Sequence, residues 1–148
     1  LNGPIERWLR SHKAPVTLGA ALTAALFLVL AVAGSLPPLL LTLWLFAFGL
    51  VSAYMPALIA HGKSLFPAAL TGRGLTWLNM GSMAGVFLTQ FASGVAIDLF
   101  PSSPTGAYPL AAYRLVFALQ AAFLLAAIVP YLRARDPAHQ KNDVVSAT

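Results

Sequence analysis

The chain contains no cysteine, which removes both a disulfide framework and a thiolate metal site and leaves the redox compartment undefined. Charge is scarce as well. Nine residues are Lys or Arg and four are Asp or Glu, together 9% of the chain, against about 25% in soluble domains. With 59% of its residues apolar, the chain has too little polar surface to coat a globule. Carboxylates are too few and too scattered to supply a general acid–base pair. His12, His61 and His139 fall in three separate segments without the i, i+4 spacing of a metal site, so no metal is expected. Gly72-Arg73-Gly74 is too short for a phosphate-binding loop, and no serine has a His and an acid beside it within an apolar stretch. These absences argue against an enzyme and against any cofactor.

The little charge present is informative through its placement. Four long apolar stretches are separated by breaks that alternate between basic and charge-poor. Arg7, Arg10 and Lys13 precede the first stretch, Lys63 and Arg73 lie between the second and third, and Arg133, Arg135 and Lys141 follow the fourth. The break from Ser35 to Pro38 is uncharged, and that from Asp98 to Ala112 holds one acid and no base. Short cytoplasmic loops of multi-pass proteins collect Lys and Arg, so this pattern predicts four crossings with both ends cytoplasmic. The net charge of +5 comes from breaks that would meet anionic headgroups. It does not form the clustered patch that nucleic acid requires, so the expected partner is a lipid bilayer.

A spanning helix needs about 20 mostly apolar residues, and every backbone polar group in hydrocarbon must bond internally, which selects helices. The expected fold class is therefore all-α integral membrane. Its predicted parts are a cytoplasmic loop over residues 1–14, transmembrane helices over 15–35 and 37–61, a cytoplasmic loop over 62–74, helices over 75–100 and 111–132 joined by an extracytoplasmic loop over 101–110, and a polar cytoplasmic tail over 133–148. The chain opens on Leu1 with a polar, basic segment and no leader-like apolar run. Further membrane-embedded sequence is expected upstream.

The third stretch sorts its residues by helical face. One face carries Thr76, Asn79, Met83, Phe87, Gln90 and Gly94; a second carries the small residues Ser82, Gly85, Thr89, Ser93 and Ala96; a third, with Trp77, Met80, Leu88 and Phe91, suits lipid. Small residues allow close helix contact. The amides Asn79 and Gln90 need partners in a membrane. They either line a substrate cavity, with Phe87 as a wall, or hydrogen-bond neighbouring helices. In the second stretch Thr42, Gly49, Ser52, Ala53, Pro56 and Ala60 share one side, as cavity lining or as close packing, and Pro56 predicts a kink. Arg114 is the one base on the charge-poor side. It lies level with Asp98, and the two are expected either to pair or to reach the headgroups separately.

Several segments resemble the major facilitator superfamily of transporters. Phe66-Pro67 followed by Gly72-Arg73-Gly74 is similar to the loop that joins that family's helices ten and eleven. The series Asn79, Gly85, Phe87, Gln90, Gly94, Asp98, with Ala112-Tyr113-Arg114-Leu115-Val116-Phe117 after it, resembles the family's carboxyl-terminal end. Gly3-Pro4-Ile5-Glu6-Arg7 resembles its Gly-x-x-x-Asp-Arg loop motif, with the glycine one residue closer and Glu6 in place of Asp. The resemblance implies that the four spans are helices nine to twelve, part of the carboxyl-terminal six-helix half. The missing amino-terminal helices of the same chain and an unidentified small-molecule substrate are then the partners, and the location is a cell inner (plasma) membrane. It places helices ten and eleven against the cavity, with Gln90, Asn79, Phe87, Thr76, Ser52 and Thr42 as lining candidates. Arg73, Arg7 and Glu6 would serve the cytoplasmic gate or loop packing. The implied function is alternating-access transport of a small solute. The alternative is a four-helix membrane scaffold or assembly subunit that transports nothing.

Overall fold

The computed structural model describes residues 13–133. Glu6 and Arg7, and nearly all of the predicted tail, lie outside the described residues. Within them the chain is helical and holds no strand. Helix α1 is Lys13–Val32 and α2 is Pro38–Val51, followed by a 3-10 turn at Ser52–Tyr54 and helix α3, Met55–Ser64. A second 3-10 turn at Ala68–Leu70 leads into α4, Thr71–Asp98, and α5 is Leu110–Leu132. Four stretches, Lys13–Val32, Pro38–Ser64, Ala68–Asp98 and Leu110–Leu132, are long and apolar enough to cross a membrane.

Proline marks the helix starts. Pro15 lies in the first turn of α1 and Pro38 opens α2, where the missing N–H would have had no intrahelical acceptor. The expected kink at Pro56 takes a specific form. Proline cannot donate to the Ser52 carbonyl, and the N–H of Met55 donates to it instead, which tightens the backbone into the 3-10 turn between α2 and α3. Gly106 has φ +79°, the left-handed region in which glycine is unstrained. It closes a turn in the 99–109 connection whose N–H donates to the Ser103 carbonyl at 2.8 Å.

The helices extend further into the central basic break than the expected 62–74 loop. Helix α3 runs to Ser64, and only Leu65–Pro67 separates it from the next helical turn. Two close approaches accompany this. A Cβ on Gly62 would lie 2.6 Å from Leu78 Cδ1, and one on Gly74 would collide with the Phe66 ring. Both positions are buried. Glycine thus lets α3 meet α4, and lets Phe66 fold back over the start of α4.

The most extensive interhelix packing joins α1 to α5. The buried residues of α1, Val16, Gly19, Ala20, Thr23 and Ala24, recur at helical spacing and are small; those of α5 are Ala112 and Ala121. Where lipid and protein are equally apolar, close van der Waals packing of small side chains drives association. The two helices run antiparallel and are clasped at both ends. Lys13 Nζ donates to the Leu132 carbonyl at 2.7 Å. At the other end Arg114 Nε donates to the Ala31 carbonyl at 2.6 Å and Nη2 to that of Val32 at 3.1 Å. Each cation meets last-turn carbonyls that have no partner within their own helix, at the negative end of its dipole.

An aromatic cluster brings α2 onto this pair. Phe27 of α1 lies edge-on to Phe48 at 5.4 Å and stacks on Phe117 of α5 at 6.4 Å. Trp44 stacks on Phe48 at 5.2 Å and donates its indole N–H to the Leu26 carbonyl at 2.9 Å. Helix α4 attaches differently. Gln120 Nε2 of α5 donates to Ser93 Oγ at 3.2 Å, and Ala96 is buried. The remainder of α4 is largely uncovered: Trp77 is 71% exposed and Phe87 66%.

Candidate functional site

Helix α4 carries the candidate site, and the structure separates its polar residues into two groups. Asn79 and Gln90 are eleven residues apart, so they share a face at a separation of about 16 Å along the axis. Both are exposed, and neither side chain has a hydrogen-bond partner among the described residues. Phe87 lies between them and stacks on Phe91 at 6.2 Å. Thr76 spends its hydroxyl on its own helix, donating to the Gly72 carbonyl at 3.1 Å, as Thr42 does to Pro38 at 2.9 Å. These two threonines therefore offer a ligand less than the amides do. Ser52 is half-buried at the 3-10 turn, well away from the α4 amides in the chain's path.

Asn79 lines a cavity of about 580 Å³ between α3, α4 and the end of α5. Its other polar walls are His61, Ser82 and Tyr131. Among the described residues the lining includes no Asp, Glu, Lys or Arg side chain. Of the six residues expected to line a cavity, Asn79 alone borders this one; Gln90 and Phe87 lie further along α4, and Thr76, Ser52 and Thr42 are not part of it.

Sequence reasoning passed over His61. It is 1% exposed, with Nδ1 hydrogen-bonded to the Tyr131 hydroxyl at 2.5 Å and the two rings edge to face at 5.4 Å. This contact ties α3 to α5. The signal in the sequence was a lone imidazole one residue before a glycine at a helix end, and nothing there pointed to Tyr131. Gln120 was also missed, because the fourth stretch reads as nearly featureless.

The expected pairing of Asp98 with Arg114 is corrected by the structure. Arg114 is engaged by the α1 carbonyls, and Asp98 Oδ1 accepts a hydrogen bond from the Tyr108 hydroxyl at 3.3 Å. A guanidinium at the start of α5 lies beside the end of α1, whose carbonyls form a fixed acceptor; Asp98 at the end of α4 is nearer the connecting loop. The Asp98 carboxylate raises the pKa of the Tyr108 phenol, first through its charge and then through the hydrogen bond. The folded chain thus keeps this phenol neutral to higher pH than the unfolded one. Asp98→Asn should move its ionisation to lower pH, towards the ordinary tyrosine value, in an ultraviolet titration read against Tyr108→Phe. An unchanged curve would mean that the carboxylate does not act on it. Arg73 is exposed in the first turn of α4, without a partner among the described residues that would define a gate.

No family model, no curated protein and no solved structure matches this chain.

Proposed function

We infer that the chain is part of a secondary transporter of the major facilitator type, moving a small solute across a cell inner membrane by alternating access. The observation that carries this reading is the polar face of α4. Two amides, Asn79 and Gln90, sit without partners among the described residues on a helix long and apolar enough to cross a membrane. An amide left in hydrocarbon costs several kcal/mol, so this face calls for a water-filled path or another polar surface. Transporters of this type rock two helix bundles around a midplane site lined by such faces.

The alternating basic breaks support the orientation, with both ends cytoplasmic, and the resemblance around Phe66–Gly74 and Asn79–Asp98 supports the family. On this reading the chain is a carrier and not an enzyme. The opposing half of the cavity comes from upstream helices, as does any membrane-embedded carboxylate that couples transport to protons, since Asp98 lies at the end of α4.

Replacing Gln90 with Ala in the complete transporter should raise KM for the solute about fivefold or more, the loss of one hydrogen bond to substrate. Uptake kinetics identical to wild type at equal expression would remove Gln90 from the path. The same unpartnered amides also fit a scaffold that binds a partner helix. In that case Gln90→Ala would weaken assembly of the partner, and no solute flux would depend on it.

A further inference from the structure

We propose that the cavity between α3, α4 and the end of α5 is a binding site for a small, uncharged, mainly apolar molecule that carries one hydrogen-bonding group such as an alcohol, phenol or amide. At about 580 Å³ it falls within the usual range for small-molecule sites, about 300–1,000 Å³, and it has their usual make-up of apolar walls with a few convergent polar groups. Met55, Ile59 and Leu75 contribute apolar wall; His61, Asn79, Ser82 and Tyr131 contribute the polar atoms.

Three observations narrow the occupant. Among the described residues the lining holds no Asp, Glu, Lys or Arg side chain, so an ion would lose its hydration without gaining a counter-charge from them, and a neutral molecule is favoured. The polar atoms are of two kinds. His61 and Tyr131 are locked together by their mutual hydrogen bond, with His61 almost fully buried; they form a fixed back wall. The Asn79 amide and Ser82 hydroxyl, one helical turn apart, have no hydrogen-bond partner among the described residues. They are the groups left to receive a donor–acceptor head. Finally, the wall from α4 runs from Leu75 to Ser82, about 10 Å of helix. That length suits a compact solute.

The site shares Asn79 with the transport path proposed above, so its test reads equilibrium binding, which stands or falls without any flux. The probe is N-phenyl-1-naphthylamine, an uncharged aryl amine with one N–H, titrated by fluorescence into lipid nanodiscs carrying the full chain, with empty nanodiscs as the blank. A saturable component of one probe per chain is expected above the linear partition into lipid. Asn79→Leu, at an exposed position that tolerates the change, should weaken it about tenfold. Ser82→Trp and Ile59→Trp, which fill the cavity from opposite walls, should each abolish it, and Met80→Leu on the lipid face should leave it unchanged. The anionic analogue 8-anilino-1-naphthalenesulfonate should show no saturable component. The proposal is overturned by the absence of a saturable component in wild type, by undiminished affinity in Asn79→Leu, or by a bound phospholipid in native mass spectra that the tryptophan variants displace. The last result would assign the cavity to lipid.

Discussion

Gly19→Ala should destabilise the helical bundle by about 1–3 kcal/mol, the range for overpacking a close-fitting contact. The Cβ added at this position would fall within 2.6 Å of Tyr54 Cγ and 2.7 Å of Tyr54 Cβ. Real carbon atoms do not approach so closely, and the Tyr54 Cβ cannot move without its backbone. Gly19 lies on the buried face of α1, and Tyr54 lies in the 3-10 turn created by Pro56. The collision therefore pushes apart the two places where α1 meets the second span. The measurement is the midpoint of unfolding in a denaturing detergent titration followed by helical circular dichroism. Tyr54→Ala in the same background removes the ring that the new methyl meets, so the double variant should be more stable than the sum of the single changes by about 1 kcal/mol. Additive single effects would show that Gly19 and Tyr54 do not touch in the bilayer.

His61→Ala should cost about 2–4 kcal/mol, because it removes a nearly fully buried ring and leaves a cavity, and it removes the hydrogen bond to the Tyr131 hydroxyl. Tyr131→Phe is the milder companion. It keeps the ring contact at 5.4 Å and removes the hydroxyl alone, an effect of about 1 kcal/mol. The contrast between the two variants separates packing from hydrogen bonding. Equal losses would mean that the hydrogen bond carries the whole contact, and no loss in either would mean that α3 and α5 are held together elsewhere. The same detergent titration reads both, and cysteine cross-linking between α3 and α5 reports whether they separate.

These two contacts show which parts of the chain were legible before folding. The type of the elements and the four long apolar stretches were. Hydrocarbon about 30 Å thick imposes a run of about 20 apolar residues, and such runs end visibly at Gly34-Ser35, at Lys63 and at Asp98. The Pro56 distortion was legible because proline always leaves the carbonyl four residues back without its donor. Of the small-residue face on α4, Ser93 meets Gln120 of α5 and Ala96 is buried, whereas a Cβ on Gly85 would meet nothing within 4 Å. The face was visible; which part of it would be covered was not.

The candidate site was half legible. Asn79 was singled out for its amide and does line the cavity, but its company was unforeseen. His61 looked like one of three scattered histidines. Ser82 falls on the small-residue face of the third stretch, and nothing in the sequence sets Tyr131 apart. Membrane level places Arg114 beside Asp98 or at the headgroups, whereas its acceptors are the Ala31 and Val32 carbonyls. Backbone acceptors have no sequence signature.

The sequence by itself determined that the chain is helical, that four stretches suit a membrane, and where charge is admitted between them. Each follows from the cost of placing polar groups in hydrocarbon, a cost that local composition reveals. Only the tertiary structure decided that α1 and α5 lie antiparallel under two cationic clasps, that His61 meets Tyr131, and that Asn79 faces a cavity. Those contacts join residues 119, 83 and 70 positions apart and depend on how each helix is rotated. A helix apolar on nearly every side carries little periodicity to encode that rotation, so it is fixed by where small residues and single polar atoms allow two helices to meet.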